Sequence, residues 1–246
     1  MNAIASNNLN GKAIVVVGGG SGMGRSIAAH ASATGGDVTI ASRNRDKLEA
    51  AAQEIGGNIH VAPVDMTDEQ AIRAWATSLG PVDHLVITAS AAAHGRFEDL
   101  PTEDLKAMIE SKFIGPYVIA RETLTRINPA GSITFFSGAL SRRPSAGATG
   151  LAAVNSTVET LTKGLAQELA GRVRVNCISP GMVATEAYDH MPAEQREQMY
   201  AQVGGALPVG RIGRAEEIAR AALMVMANDF MTGAIVDVDG GHLVRA

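Results

Sequence analysis

A doubly wound α/β fold, with seven parallel strands and helices on both faces of the sheet, is what this 246-residue sequence predicts. Short β-branched runs, mostly bounded by Gly, Asp, Asn or Pro, recur along the chain, and almost every one is followed by a longer segment of helical pattern. That alternation calls for right-handed crossovers, which build a parallel sheet covered on both sides. The length suits one domain that buries most of its apolar surface and is short for two ordinary α/β domains, so residues 1–246 are expected to form a single domain.

Taken in order, strands are expected at residues 13–17, 38–41, 59–62, 84–87, 132–136, 174–178 and 234–238. Helices are expected at 22–33, 45–55, 67–78, 102–126, 151–170 and 215–227. Thr67 followed by Gln70 has the spacing of a capping box, and Thr102 behind Pro101 marks another helix start. The one long interruption, 182–207, follows a strand end and holds a helical piece at 193–202. It reads as a lid insertion over a substrate.

Hydrophobic residues make up 46% of the chain and charged residues 19%, a balance that excludes a disordered chain and suits a tightly packed α/β protein. A net charge of −4 without a basic stripe argues against nucleic acid as a partner. The single cysteine, Cys177, forms no internal disulfide, and its apolar neighbours suit a buried, inert thiol in a reducing cytoplasm. The first ten residues lack the basic start and apolar core of a secretory signal, and no run approaches the ~20 apolar residues that span a bilayer. A cytoplasmic protein with no membrane contact is the expectation.

The first strand runs into Gly18-Gly19-Gly20-Ser21-Gly22-Met23-Gly24 and then a helix. Glycines in that place let a pyrophosphate approach the backbone and rest on the first helical N–H groups, the arrangement of a Rossmann-like dinucleotide site. After the second strand comes Ser42-Arg43-Asn44, where an NAD-specific protein would place a carboxylate for the ribose hydroxyls. A hydroxyl and a guanidinium suit a 2′-phosphate, so NADP(H) is the expected cofactor; the alternative is that Arg43 merely faces water at the entry to the next helix.

With glycines at 18, 22 and 24, the chain resembles the short-chain dehydrogenase/reductase family, although Val17 stands where that family often has threonine. The resemblance continues through Asp65 after the third strand, Ser179-Pro180-Gly181 after the sixth, Gly210-Arg211 before the last helix and Val238-Asp239-Gly240-Gly241 near the end. It implies cofactor contacts from Gly18, Ser21, Gly22, Met23, Gly24, Ser42, Arg43, Asp65, Met66, Ala89, Pro180, Gly181 and Val183. For Asp65, local turn chemistry is the competing reading. The resemblance also implies a homotetramer, or a dimer, paired through the helices at 102–126 and 151–170.

At the catalytic end the family pattern is broken. Aligning Leu161-Thr162-Lys163-Gly164-Leu165-Ala166 with the family's helix puts Leu151 at the tyrosine that donates a proton and Asn155 at the lysine four residues on. The serine position falls on Gly138 beside Ser137, and Lys112 occupies the asparagine position of the preceding long helix. Lysine and asparagine have in effect exchanged helices. Lys112 is therefore expected to stabilise charge developing on a substrate oxygen or nitrogen, with Ser137 as a secondary donor and Asn155 completing the set; the alternative is an ordinary solvated helix lysine. The loop Ile87-Thr88-Ala89-Ser90 replaces the family's two asparagines, alanine and glycine. His94 suits a solvated loop better than a proton donor. Arg142 and Arg143 stand where they would meet an acidic substrate, another subunit or water. Tyr188, His190 and Met191 either line the pocket or pack the lid.

These residues point first to an NADP(H)-dependent oxidoreductase that moves hydride to or from a small carbonyl or imine compound through a non-standard site, with no metal. A non-catalytic NADP(H)-binding sensor or partner subunit is the alternative. A hydration or elimination on the same scaffold is a third possibility.

Overall fold

The computed structural model describes residues 9–88 and 92–245. In chain order these form β1 (Ala13–Val17), α1 (Gly22–Ala33), β2 (Asp37–Ala41), α2 (Arg45–Ile55), β3 (Ile59–Val61), α3 (Glu69–Ser78) and β4 (Val82–Ile87). There follow α4 (Thr102–Ile109), α5 (Gly115–Thr123), β5 (Ile127–Phe136), α6 (Thr149–Glu168), β6 (Arg174–Pro180), β7 (Val183–Ala184), α7 (Ala193–Gly205), β8 (Gly213–Arg214), α8 (Ala215–Ala227) and β9 (Ile235–Val238). Seven of the strands make one sheet in the order β3-β2-β1-β4-β5-β6-β9, with every pairing parallel. The expected Rossmann-like doubly wound sheet is thus present.

Alternation along β1 shows why both faces are covered. Ile14 and Val16 pack with Ile27 of α1, Leu48 of α2 and Ile218 of α8. Val15 and Val17 face the other way, into Ile72 and Trp75 of α3, Ile119 of α5 and Val158 of α6. Each such side chain contributes about 1.5–3 kcal/mol on burial, and a strand buried on both sides has no polar face to show. Because the chain winds from β1 to β3 and then returns to β4 on the other side of β1, the carboxyl ends of β1 and β4 bound a crevice at the switch point.

Several boundaries differ from the sequence expectation. The third helix begins at Glu69 rather than Thr67, because Asp68 Oδ1 accepts from the Gln70 and Ala71 amides at 2.9 and 3.0 Å and so makes the better N-cap. Thr67 instead serves the turn around Asp65. The expected single helix at 102–126 is α4, a π-helical turn at Glu110–Ile114, α5 and a short 3-10 turn at Leu124–Arg126. Pro116 supplies the cause: it lacks an N–H, and its ring would collide with the carbonyl four residues back in a regular helix. The pair β7–β8 and the full length of β5 were not expected, since two-residue strands carry no visible period and β5 begins with the irregular run Ile127-Asn128-Pro129-Ala130.

Helix α1 approaches the end of β1 through Gly24. A Cβ there would be driven into the Gly18 carbonyl and would lie 2.6 Å from Thr88 Oγ1. By contrast, a Cβ at Gly164 in α6 meets nothing within 4 Å. Gly24→Ala is therefore expected to destabilise by about 1–3 kcal/mol through overpacking. Gly164→Ala should stabilise by roughly 0.5–1 kcal/mol through helix propensity. Urea midpoints of the two variants shifting in opposite directions is the outcome that checks this; a neutral Gly24→Ala would contradict the close approach.

Candidate active site

Parallel strands place all their carboxyl ends on one edge, and the order of the sheet lines up the loops there: 18–24 after β1, 42–44 after β2, 137–138 after β5 and 181–182 after β6. Gly18 and Gly22 have φ of 89° and 51°, a region that favours glycine, and the Gly18 amide donates to the Ala41 carbonyl at 2.7 Å. Together with the cradle at Gly24, this geometry fits a dinucleotide's pyrophosphate. Ser21, in extended conformation, is the N-cap of α1, and Met23 is half-buried in its first turn.

Ser42 and Arg43 sit at the end of β2, Ser42 accepting from the Val64 amide through its carbonyl and Arg43 exposed. Asp65 Oδ1 accepts from the Thr67 amide at 2.9 Å and the Thr67 hydroxyl at 2.8 Å. The amide bond chiefly, then the hydroxyl and the nearby Arg43 charge, hold the Asp65 carboxyl below its usual range despite partial burial. The local-turn reading of Asp65 is met, and its carboxyl lies within the electrostatic reach of Arg43. Met66 is buried, its carbonyl packed against Gly115. Pro180 ends β6, the Gly181 amide donates to the Val238 carbonyl at 3.0 Å, and Val183 is buried in β7. Ala89 and Ser90 lie outside the described residues.

At the catalytic end, Lys112 occupies the middle of the π-helical turn and is buried. Its Nζ donates to the Ser137 carbonyl at 3.2 Å, and among the described residues it forms no ion pair. Loss of water lowers its pKa to about 8, with Cys177 a small opposing influence. The alternative of a solvated helix lysine does not hold. A π turn inside a helix often marks a functional site, and here it directs a lysine inward.

Asn155, on α6, is also buried, and its Oδ1 has no hydrogen-bond partner. Its Nδ2 lies only 2.8 Å from where a Cβ of residue 138 would stand, so Gly138 makes room for the amide. Lys112 and Asn155 thus both abut the 137–138 backbone, one on the Ser137 carbonyl and the other on Gly138. Leu151, at the tyrosine position, packs with Met108 and Val154 in a small apolar cluster.

Ser137 differs from its expected role. Its hydroxyl donates to Glu159 Oε1 at 3.1 Å, as does the Ser141 hydroxyl, so in this structure its proton is not offered to a substrate. Arg142 is also committed: it pairs with Asp237, donates to Ser179 Oγ at 3.1 Å and lies 3.4 Å from Glu159 Oε2. Arg143 donates to the carbonyls of His242 and Arg245. Of the partners open to this arginine pair, an acidic substrate, another subunit or water, none is needed to hold it, since both side chains are tied to β9 and the C-terminal segment. His94 and His190 are exposed, while Tyr188 stacks edge-on to Tyr200 at 5.7 Å, a packing role. Burial raises the thiol of Cys177 to about 11, which makes it inert.

Two residues were missed. Glu159 is a buried acid one turn beyond Asn155 on the inward face of α6, a spacing that could have exposed it. Glu186 reaches across 164 positions to accept from the Gly22 amide at 2.7 Å and to pair with Arg25, a contact without any local signal. Beside it lies a cavity of about 690 Å³ lined by Arg25, Glu54, Arg196, Tyr200 and Arg214 among others. Among the described residues no cluster of acids, histidines or cysteines is placed to hold a metal, and no helix is long and apolar enough to cross a membrane.

A family model described as "Enoyl-(Acyl carrier protein) reductase" matches residues 17–242. Galactitol 2-dehydrogenase (L-tagatose-forming) of Cereibacter sphaeroides is 34% identical, covering 96% of both chains. A short-chain dehydrogenase/reductase of Stachybotrys chlorohalonatus is 32% identical over 96% of this chain and 99% of its own. Among solved structures, a small-chain dehydrogenase in complex with NADPH superposes with a TM-score of 0.81 at 35% identity, covering 96% of this chain and 100% of that one. A family model spanning residues 17–242 and near-full-length relatives at 32–34% identity together place the chain in the short-chain dehydrogenase/reductase family.

Proposed function

We propose that this protein is an NADP(H)-dependent oxidoreductase that transfers hydride to or from a small carbonyl or imine compound, with Lys112 in the role that the family gives to tyrosine. The observation that carries the proposal is Lys112 itself, a buried lysine without an ion-pair partner among the described residues, its pKa lowered to about 8, facing the loop at 137–138. Structural lysines are seldom left so; perturbed groups gather at functional sites. A bound nicotinamide would supply the hydride chemistry, and the protein would hold donor and acceptor in register.

In this reading the Lys112 ammonium donates a proton, or a hydrogen bond, to a substrate oxygen or nitrogen as charge develops there. The Ser137 carbonyl holds Nζ in place, and Ser137 acts as a positioning residue whose hydroxyl is fixed by Glu159. Asn155 Oδ1, a buried acceptor with no partner, is suited to a ribose hydroxyl or to a water. An iminium already carries its proton, so Lys112 matters more for a carbonyl than for an iminium. Cofactor contacts from Gly18, Ser21, Gly22, Met23, Gly24, Ser42, Arg43, Asp65, Met66, Ala89, Pro180, Gly181 and Val183 belong to the same proposal. So do a lid at 182–207, a cytoplasmic location and a homotetramer or dimer. Exposed Ile109, Ile114 and Tyr117 along α4 and α5 suit such pairing, and the solved relative's complex with NADPH supports the choice of cofactor.

The apolar cluster around Leu151 favours one competing reading, a non-catalytic NADP(H)-binding sensor or partner subunit. NADPH binding without turnover across a carbonyl and imine panel, followed at the nicotinamide absorbance, would favour that reading.

For a turning-over carbonyl substrate, Lys112→Met should reduce kcat by about 10²–10⁴-fold. The urea midpoint at neutral pH should not fall, because a charge is removed from an apolar setting. Full turnover in the variant would end Lys112's catalytic role. The direction of its pKa shift also sets the pH dependence: the protonated form prevails below about 8, so carbonyl reduction should decline, and alcohol oxidation rise, as pH passes through that value. Rate profiles in both directions check this, and Lys112→Met should lack the inflection. Arg43→Ala should weaken NADPH binding by on the order of tenfold and leave NADH nearly unchanged, as fluorescence titration would show.

A further inference from the structure

We infer that Glu186 is an internal anion that competes with the cofactor's pyrophosphate for the glycine loop, so that cofactor binding requires the 182–207 segment to release its hold on α1. This rests on the dinucleotide reading of the loop given above.

Three observations bring Glu186 to that place. Its Oε2 accepts from the Gly22 amide at 2.7 Å, and that amide belongs to the first residue of α1, where helical N–H groups have no partner within the helix. Its Oε1 pairs with Arg25, one turn into α1. Thr185 beside it approaches so closely that a Cβ on Gly22 would lie 3.2 Å from the Thr185 Cβ. The helix start and its neighbouring guanidinium are the groups that would receive a phosphate, and here they receive a carboxylate.

Two anions cannot share one amide and one field. A pyrophosphate arriving at Gly22 would meet the carboxylate charge at hydrogen-bond distance, so Glu186 has to withdraw. The cost of withdrawal is moderated, because Arg25 also pairs with Glu54 of α2 and would retain that partner. Glu186 opens a 3-10 turn, Glu186–Tyr188, one residue beyond β7, and the chain continues from it toward α7. Its release therefore passes to the whole segment that would cover a substrate.

The test is NADPH titration by fluorescence on the intact protein and on Glu186→Ala and Glu186→Gln, neither of which touches the groups placed at the catalytic end. The dissociation constant is expected to fall by on the order of tenfold in both variants. An unchanged or weaker constant would overturn the inference. The two claims separate cleanly: binding to the unmodified protein bears on the dinucleotide reading, and the ratio between variant and unmodified protein bears on Glu186. No NADPH binding by any of the three would overturn both. As a second readout, backbone amide exchange at Gly22 should be faster in Glu186→Ala than in the unmodified protein without cofactor; equal protection would count against the contact.

Discussion

Contact between two stretches of bare backbone governs the geometry of this molecule. Gly24 sits against the Gly18 carbonyl with no side chain between them, and Thr88 closes over the same point, its amide and hydroxyl both donating to the Val17 carbonyl. Through that junction the start of α1 is set at the mouth of the crevice between β1 and β4. Everything that concerns an anionic ligand follows from it: which amides point outward, how near Arg25 stands, and why a carboxylate from far along the chain can settle there. The hydrophobic layers on either side make the junction rigid, since β1 contributes alternate residues to both of them.

The catalytic end is organised by a different constraint, the need to accommodate a buried cation. Lys112 is taken from water and given one carbonyl, and Glu159, the buried acid of the neighbourhood, is occupied by Ser137, Ser141 and Arg142. A carboxylate placed directly on Nζ would raise the lysine's pKa and fix it in the charged state. By keeping Glu159 one residue removed, behind the Ser137 hydroxyl, the fold leaves the amine able to exist in either protonation state near neutral pH. The π turn at 110–114 is the local means by which the side chain is carried inward, and Pro116 accounts for the turn.

How far the sequence revealed this depends on the distance over which each feature is encoded. Strands and helices are written locally, in period and punctuation, and the parallel, doubly wound character of the seven-stranded sheet followed from their alternation. Lys112 and Asn155 drew attention because each departs from the residue type that the family resemblance implies at its spacing, and both prove to be buried. The interruption of the long helix was also written locally, in Gly115-Pro116, but the length of the surrounding pattern masked it. Thr67 was given the cap that belongs to Asp68, since both residue types favour that place and only the backbone decides between them. What the sequence did not show is a set of contacts between distant elements. Glu186 meets Gly22, Arg142 meets Asp237, and the Ser137 hydroxyl donates a hydrogen bond to Glu159. Nothing within a window of neighbouring residues predicts such pairings, and they decide which polar groups remain available for chemistry.

The fit between Gly138 and Asn155 couples two positions of the site. A side chain at 138 and the present seat of the Asn155 amide exclude each other, since a Cβ would stand 2.8 Å from Nδ2 in a setting with little room for it to rotate away. A serine at 138 would therefore disturb the asparagine, while a lysine at 155 would place a second amine beside the 137–138 backbone that Lys112 already contacts. Positions 138 and 155 are sterically coupled, so a side chain at the first requires the second to shift. The glycine at 138 and the amide at 155 are thus a matched pair, and a change at either is felt at the other.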